Sequence, residues 1–586
     1  MPSASQPVKS LLSININPVV IQVCLIDQQE SIYRIAGVGH GPISYGLNGS
    51  IDRKCLVKAL HELAISTGHE LLGENNDVIA PSENQKRGVD RISLTWSLPA
   101  PIKVILMGLM PAISMKAGNR LIEELPLEII DQIYTTDGRT EEEKMDSILS
   151  LRPDLIVLTG GVEDGAFEVV RSSADLVARS LSALPPELRP EVVYAGNSRA
   201  AEYVKNKIEP LTLIFTAANI QPTISELDIQ PAREVLSGVC NRMWVKRFGL
   251  QPGIRPMTLD LTRLAIRATE DFISILGICE KSHQGVLAIQ LNGLGTGVSV
   301  SLDGRSTSYQ QMKGCRTADP GRIIKEYKTE DVASWCQTPV EPAILSDCLA
   351  AELLYPGRLP VTEMDAALGG SLTRVAGMRA WQALSEKQDF PRQLKYKKVG
   401  AEVDLILIAG NRLQYQQNLG PALLEMLDII QPMGISEIFI DLDGVAASLG
   451  AAAQLNPRIP LHCILGQAVP RLATVIAPMF QGRDGVKLLT VSLVLEDGRE
   501  ISQEIRSGSL TSIRLDSQEK ARLKIIPRSG LKMGSRFERK KDIPVTGSIL
   551  GIVIDTRGRP LLPRKNPKEQ QDWMKRNIDQ VMDLAR

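Results

Sequence analysis

Residues 285–309 read GVLAIQLNGLGTGVSVSLDGRSTSY. Apolar, largely β-branched runs alternate here with turns rich in Gly, Asn and Asp, which predicts two antiparallel strands and a second hairpin turn at Asp303 and Gly304. Residues 11–27, LLSININPVVIQVCLID, show the same order of strand, Asn-containing turn and strand. Because each half of the chain begins with such a hairpin, we expect a duplicated fold.

Between the two hairpins, short apolar strands alternate with amphipathic helices. Over about residues 140–214 this alternation is regular, and it includes the helix EEEKMDSILSL and the strand DLIVLTGG. Strands that are apolar throughout and separated by helices indicate a buried parallel sheet. We therefore predict an α/β protein with a first lobe over 1–275, a Rossmann-like βαβ insertion within it at about 140–235, and a second lobe over 276–475.

The C-terminal part of the chain has a different pattern. From Val486 onward, VKLLTVSLVLEDGREISQEI alternates with period two, which predicts an antiparallel β module over residues 484–563. Residues 564–586 carry apolar side chains at helical spacing and are expected to form a helix. Residues 511–586 contain 18 Lys and Arg against 9 Asp and Glu, so this end is basic, although the whole chain has 67 residues of each sign.

The composition argues against several classes of protein. A balanced charge over 586 residues lacks the basic excess typical of nucleic-acid binding. No apolar run reaches the roughly 20 residues of a membrane-spanning helix, so we expect no membrane partner. The eight Cys and five His residues form no Cys-x-x-Cys pair, which argues against a structural metal site. Unclustered cysteines and an N-terminus unlike a signal peptide favour a cytoplasmic location.

The turns of the two hairpins are the strongest candidates for a binding site. Two related hairpins that face each other can hold a phosphate chain through backbone N–H groups and small side chains. The Mg²⁺ ion that accompanies phosphates is held by carboxylates and water. The candidate residues are Asn15, Asn17 and Pro18 in the first half, and Gln290, Asn292, Gly293, Gly295 and Thr296 in the second. Neither turn contains a carboxylate.

Several segments resemble the glutamate mutase accessory protein L family, the MutL-type proteins of B12-dependent carbon-skeleton mutases. The most specific match is TGGVEDG at residues 159–165 followed by YAGN at 194–197, and GISEIFIDLDGVAASLGAAA also fits. The resemblance covers almost the whole chain. It implies the actin-like fold of the Hsp70 and sugar-kinase superfamily, with two RNase H-like halves around an ATP cleft. It also implies ATP and Mg²⁺ as cofactors and a B12-dependent mutase as the protein partner.

The chain departs from this family in both phosphate-binding turns. Where the family has Asp-x-Gly-Ser, the chain has Asn15, Ile16, Asn17 and Pro18. Where the family has Asp-x-Gly-Gly-x-Thr-Thr, the chain begins with Gln290. An amide keeps a hydrogen-bonding oxygen but has no charge, so both changes weaken a Mg²⁺ site, and Pro18 lacks a backbone donor.

These departures favour an accessory or assembly protein whose ATPase activity is lost or weakened. The degenerate cleft includes the turn residues named above and Gly410, which belongs to an adenosine-side turn that is also poor in glycine. We assign no catalytic residue and no metal ligand. The alternative is an active ATPase that reactivates or assembles a B12-dependent mutase or aminomutase, with carboxylates from Asp303, Asp441 or Asp443. Asp441 and Asp443 have a simpler role as caps of the helix predicted at 445–455.

A third hypothesis places a small-molecule enzyme at the βαβ insertion. Gly160 and Gly161 end a predicted strand just before a helix, which is where parallel sheets bind ligands, and Asp164 lies in the same turn. The carboxylates of Glu163 and Asp164 would repel a phosphate at this position. A tight turn with helix-capping carboxylates is therefore the simpler interpretation.

Overall fold

The computed structural model describes the chain except for residues 1–7, 18, 45–51, 85, 98–101, 123–124, 126, 164, 166, 248–258, 294, 313–326, 338–339, 355–359, 388–389, 397–399, 416–417, 518, 530, 534–540, 562–563, 565 and 585–586. Pro18 and Asp164, two residues that the sequence analysis singled out, lie outside the described residues. The chain divides into two compact units. The main unit comprises Met1–Ser44, Arg53–Ser97 and Met257–Arg586, and the inserted unit comprises Tyr45–Asp52 and Leu98–Pro256.

The strands are numbered in chain order. They are β1 Ser10–Ile16, β2 Val20–Gln29, β3 Ile32–Pro42, β4 Arg91–Trp96, β5 Ile102–Met107, β6 Leu127–Ile133, β7 Leu155–Gly160, β8 Glu191–Gly196, β9 Ile214–Thr216, β10 Leu259–Leu264, β11 Val286–Leu291, β12 Gly295–Leu302, β13 Arg305–Met312, β14 Lys395–Tyr396, β15 Gly400–Ala401, β16 Leu405–Ala409, β17 Gly434–Ile440, β18 Arg471–Ala477, β19 Lys487–Leu495, β20 Glu500–Arg506, β21 Leu510–Ile513, β22 Lys520–Pro527, β23 Lys541–Thr546 and β24 Ile552–Asp555.

The α-helices are numbered in the same way. They are α1 Arg53–Thr67, α2 Lys116–Ile122, α3 Glu141–Leu151, α4 Phe167–Ala183, α5 Ser198–Ile208, α6 Gln230–Arg247, α7 Ala265–Cys279, α8 Thr329–Ala333, α9 Pro342–Leu354, α10 Glu363–Glu386, α11 Gly420–Ile430, α12 Ala446–Leu455, α13 Arg458–Leu465 and α14 Pro567–Leu584. A π-helical turn, Pro111–Met115, leads into α2, and short 3₁₀ turns span Pro186–Leu188, Arg392–Leu394 and Asn411–Tyr415.

The first half of the main unit is a five-stranded mixed sheet. The strands β1, β2 and β3 form an antiparallel meander, while β4 and β10 continue the sheet in parallel from the other side of β1. The order is β10-β4-β1-β2-β3. Every residue of β1 is buried, which explains why its sequence SLLSINI is apolar or small on both faces.

The second half repeats this topology. The strands β11, β12 and β13 form an antiparallel meander, and β16 and β17 run parallel to β11 on its other side. Numbered from the first strand of each half, both sheets have the order 3-2-1-4-5, with strands 1, 4 and 5 parallel. The α/β class and the duplicated, actin-like two-lobed fold are therefore confirmed.

Helices α7 and α12 approach each other unusually closely within the main unit. A Cβ atom at Gly450 would lie 1.7 Å from the carbonyl oxygen of Ala268, so the crossing accommodates only glycine at this position. The buried residues Ala265, Ala268, Ala447 and Ala451 surround the crossing. The small residues of AASLGAAAQL thus allow the backbone of α12 to pack directly against the backbone of α7.

The C-terminal part contributes strands to two different sheets. The strands β19, β20, β22 and β23 form an antiparallel sheet in the order β20-β19-β22-β23. In contrast, β24 pairs in parallel with β18, and β21 pairs with β24, so both extend the sheet of the second half. Helix α14 places Trp573, Met574 and Val581 in buried positions.

A buried cluster of charged side chains joins the segment after β24 to the helices of the second half. Arg557 donates from Nη1 to Asp428 Oδ1 at 2.8 Å and from Nη2 to Asp555 Oδ2 at 2.8 Å. Arg374 donates from Nε to Asp428 Oδ2 at 2.7 Å, and Arg559 donates from Nη2 to Asp555 Oδ2 at 2.7 Å. Burial alone would raise the pKa of Asp555, but the charges of Arg557 and Arg559 outweigh it and hold that pKa well below its usual range.

The inserted unit contains a parallel five-stranded sheet in the order β6-β5-β7-β8-β9. Counted from β5, this is the doubly wound order 2-1-3-4-5. Two of its strands, β5 and β6, precede residue 140, where the sequence suggested that the insertion begins. The predicted domain boundaries otherwise remain predictions. Among the residues that the structure describes, no helix is long and apolar enough to cross a membrane.

Candidate functional site

The turns that follow β1 and β11 correspond to the two phosphate-binding turns of the family. They lie close together in the main unit and line one small cavity of about 30 Å³. Of the predicted residues, Asn15, Asn17, Gln290, Asn292 and Gly410 line it. They meet because β1 and β11, the first strands of the two halves, end at equivalent points of equivalent sheets. The other lining residues are Gln22, Ser97, Ala265, Thr269, Ala409, Asn411, Asp441, Gly444, Ala446 and Ala447.

The remaining predicted residues lie beside the cavity without lining it. Gly293 follows β11, while Gly295 and Thr296 begin β12. Thr296 is fully buried, and its hydroxyl has no hydrogen-bond partner among the described residues. Asp303 is exposed at the opposite end of β12, so it does not supply the carboxylate that the active-ATPase hypothesis requires.

Asn411 connects the turns of the two halves. Its Nδ2 donates to Asn17 Oδ1 at 3.2 Å, and its Oδ1 accepts from the backbone N–H of Gly293 at 3.1 Å. The backbone N–H of Asn411 donates to Asn292 Oδ1 at 3.0 Å. All three asparagines are at least nine-tenths buried. This linking role is not visible in the sequence, where Asn411 simply follows Gly410 after an apolar strand.

The first turn is closed by its own side chain. Asn17 Oδ1 accepts from the backbone N–H groups of Val19 at 3.0 Å and Val20 at 2.9 Å. In a phosphate-binding turn these donors would point at the anion. Here both N–H groups already donate to the side chain of Asn17. They are therefore not free to bind a phosphate.

The amides that occupy the positions of the family's aspartates are each held by a neighbour. Asn15 Oδ1 accepts from the Ser97 hydroxyl at 3.2 Å. Gln290 Nε2 donates to Thr269 Oγ1 at 2.5 Å and, at 3.5 Å, to the carbonyl oxygen of Ala265. The side-chain nitrogen of Gln290 therefore donates hydrogen bonds toward α7. An ionised carboxylate at this position could not donate them, because it only accepts.

Among the described residues, Asp441 supplies the only carboxylate that lines the cavity, and it caps helix α12. Its two oxygens accept from the backbone N–H groups of Val445 at 2.7 Å and Ala446 at 2.9 Å. Burial raises the pKa of Asp441 to about 6, and the two backbone hydrogen bonds only partly offset this effect. The side chain of Asp443 is exposed, while its carbonyl oxygen accepts a short hydrogen bond from Gln22 Nε2.

Gly410 shows why the adenosine-side turn has its sequence. Its φ is +114°, and a Cβ atom would lie 2.4 Å from the carbonyl oxygen of Leu291. Only glycine fits this close approach between the end of β16 and the end of β11. The glycine therefore positions Asn411 against the second hairpin.

A family model described as MutL protein matches residues 22–466. The chain belongs to the MutL family. A search of curated proteins finds no match.

Solved structures share the fold of this MutL-family chain only loosely. A nucleotide-free acetone carboxylase is 10% identical, with 86% of this chain and 81% of that chain covered and a TM-score of 0.34. A diol dehydratase-reactivating factor in nucleotide-free form is 9% identical over 78% and 100%, with a TM-score of 0.29. Xylulose kinase from Bifidobacterium adolescentis is 11% identical over 77% and 93%, with a TM-score of 0.28.

The cleft of the MutL-family chain does not fit ATP with Mg²⁺. A cavity of about 30 Å³ has room for one or two water molecules. The carboxylate of Asp441, the only one among the described lining residues, already accepts two backbone hydrogen bonds. Among the described residues, no group of three or more His, Cys, Asp and Glu side chains is placed to hold a metal ion.

In the inserted unit of the MutL-family chain, the carboxylate of Glu163 occupies the helix start at which the anion of a ligand could bind. The hydroxyl of Ser198, the first residue of α5, donates a short hydrogen bond to Glu163, and Asn219 Nδ2 donates to Glu163 Oε1 at 2.7 Å. These hydrogen bonds outweigh partial burial and lower the pKa of Glu163. The start of α5 thus already faces an internal anion, and the carboxylate of Glu163 lies at this helix rather than at α4, the helix that directly follows the turn.

Proposed function

We propose that this chain is an accessory protein that assembles or maintains a B12-dependent carbon-skeleton mutase or aminomutase, and that its cleft no longer hydrolyses ATP. Membership of the MutL family supports the accessory role. The observation that carries the loss of ATPase activity is the hydrogen-bonding of Asn411 to the turns of both halves. We further propose that the protein acts in the cytoplasm, together with its enzyme partner.

The hydrogen bonds of Asn411 bear directly on nucleotide binding. A phosphate chain in this cleft would need the backbone N–H groups of both turns, and Asn17 and Asn411 already satisfy those of Val19, Val20 and Gly293. Displacing a satisfied buried hydrogen bond gains little, because the displaced group must find a new partner. With amides at positions 15 and 290, the cleft also lacks the charge that holds Mg²⁺.

An active ATPase remains the second candidate, and Asp441 is the residue that favours it. A carboxyl with a pKa of about 6 could accept a proton near neutral pH. However, both of its oxygens accept backbone N–H groups at the start of α12, which directs them toward the helix rather than toward a water molecule.

The two candidates are separated by titrating the full chain with ATP and Mg²⁺ in a calorimeter while measuring phosphate release. We expect binding weaker than a Kd of about 1 mM and no turnover. The variant Asn411→Ala frees the N–H of Gly293 and should bind nucleotide more tightly than the wild type, still without turnover. Asn418→Ala is the matched control, because Asn418 caps α11 and does not line the cavity.

The accessory role is tested with a B12-dependent mutase from the same source. We expect the full chain to bind the mutase and to sustain its activity equally well with ATP, with a non-hydrolysable ATP analogue and without nucleotide. Micromolar ATP binding with steady turnover, abolished by Asp441→Asn, would establish the active ATPase instead. Failure to bind or sustain any such mutase would overturn the accessory role while leaving the state of the cleft unaffected.

A further inference from the structure

Strand β20 forms one edge of the C-terminal antiparallel sheet. In the part of the chain that the structure describes, its inner side pairs with β19 and no strand pairs with its outer side. Its sequence EISQEIR contains neither Pro nor Gly, and six of its seven residues are exposed. Edge strands usually carry such interruptions because an unpaired row of N–H and C=O groups recruits other strands.

The hairpin that joins β19 to β20 determines which backbone groups face outward. At the turn, the N–H of Leu495 donates to the carbonyl oxygen of Arg499 at 2.9 Å. In an antiparallel pair, residues on one strand alternate between inward and outward hydrogen-bonding groups. Ile501, Gln503 and Ile505 therefore bond to β19, and the N–H and C=O groups of the even-numbered residues point to the open side.

We propose that β20 pairs antiparallel with β20 of a second copy of this chain, about a two-fold axis at Gln503. This register places Glu500 opposite Arg506 of the other copy, twice per dimer. It also places Ile501 opposite Ile505, and Ser502 opposite Glu504. The outward groups of positions 500, 502 and 504 and the N–H of Arg506 then form the ladder between the copies, while the carbonyl oxygen of Arg506 keeps the hydrogen bond that it accepts from Thr556 Oγ1 at 2.7 Å.

The charges of β20 select this register over its neighbours. A two-fold axis perpendicular to the sheet places the core-facing side chains of both copies on the same face of the joined sheet. Each alternative register is therefore shifted by two residues, because a shift of one residue would bring opposite faces together. Shifting one way places Glu500 opposite Glu504, and shifting the other way places Glu504 opposite itself. Like charges directly opposite each other are unfavourable, so of these three registers the axis at Gln503 is the one that gives complementary pairs.

The apolar face of the sheet is also completed by this pairing. Ile505 is buried against the module core, whereas Ile501, on the same face, is 43% exposed. In the paired arrangement, Ile501 of each copy lies beside Ile505 of the other. Two four-stranded sheets thus become one continuous sheet with a shared apolar face.

The experiment measures the mass of the full chain by sedimentation equilibrium over a range of concentrations. We expect a reversible monomer–dimer equilibrium that Ser502→Pro abolishes, since proline removes an outward donor at a position where an edge strand tolerates it. Ser502→Ala is the matched control, because it keeps the N–H and loses only the hydroxyl contact with Ser492, and it should dimerise like the wild type.

Charge exchange tests the register. Glu500→Arg and Arg506→Glu should each weaken self-association at least about tenfold, because each creates two like-charge pairs. An equimolar mixture of the two variants should form a heterodimer with wild-type affinity, which also shows that both variants are folded. A wild-type chain that stays monomeric at all concentrations, or a dimer unaffected by Ser502→Pro, overturns the proposal and leaves the edge to a strand of another protein.

Discussion

Removing Arg557 should loosen the C-terminal strand from the second half, and removing Asp428 should do so more severely. Arg557 joins Asp428 on α11 to Asp555 at the end of β24, and the side chains of all three residues are fully buried. The cluster contains three arginines and two aspartates, so it is already one positive charge in excess. The two substitutions change this balance in opposite directions.

The expected magnitudes follow from the contacts that remain. In Arg557→Met, Asp428 keeps Arg374 and Asp555 keeps Arg559, so each buried carboxylate retains one cation. The cost should therefore lie at the low end for a broken buried pair, about 3 kcal/mol, or roughly a 100-fold larger unfolding constant. In Asp428→Asn three guanidinium groups share one carboxylate, and we expect about 5 kcal/mol.

The assay is urea unfolding at neutral pH followed by circular dichroism, with hydrogen exchange of the peptide 552–561 to locate the loss. Arg499→Met serves as the control, because the ion pair of Arg499 with Asp497 is exposed to solvent and should contribute little to stability. If Arg557→Met costs no more than this control, or more than Asp428→Asn, the account of the cluster is wrong.

Two further substitutions test the helix crossing and the capping carboxylate. Gly450→Ala should lower the free energy of unfolding by about 3 kcal/mol, since its Cβ would lie 1.7 Å from the Ala268 carbonyl oxygen. Gly238→Ala, with open space around it, should instead stabilise α6 by about 0.5–1 kcal/mol, and thermal melting of the two variants measures both effects. Folding raises the pKa of Asp441 from 3.8 to about 6, so the native state binds more protons, and this residue lowers stability as pH rises through that window. In Asp441→Asn this dependence should vanish, which urea midpoints measured from pH 4 to 7 would show; an unchanged pH profile would contradict the raised pKa.

The duplicated fold was predictable because its signals are local. The two hairpins each combine an apolar strand with an Asn- and Gly-containing turn, and the 3-2-1-4-5 order follows once those hairpins are recognised as equivalent. The placement of β24 was not predictable. It pairs with β18 across about 75 intervening residues, and the charged sequence DTRGRP that anchors it has the composition of an exposed loop.

The candidate site was predictable in part for the same reason. Asn15 and Gln290 were identified because they occupy equivalent strand ends, and the structure places both on one cavity. The link through Asn411 could not be anticipated, because its hydrogen bond to Asn17 joins residues 394 positions apart. Such a contact depends on side-chain geometry in the folded chain, and periodicity carries no information about it.

The two amides and the closed cleft have a common physical cause. Carboxylates at positions 15 and 290 would share a cavity of about 30 Å³ with Asp441, and without Mg²⁺ their charges would raise one another's pKa and destabilise the fold. An amide avoids this cost because it carries no charge and supplies both a donor and an acceptor, as Asn411 does toward Asn17 and Gly293. In the proposed function, loss of the metal therefore favours amides, and the amides in turn exclude the metal. A cleft that has changed in this way holds its two halves together, and under the proposed function recognition of a mutase would fall to the outer surfaces of the chain.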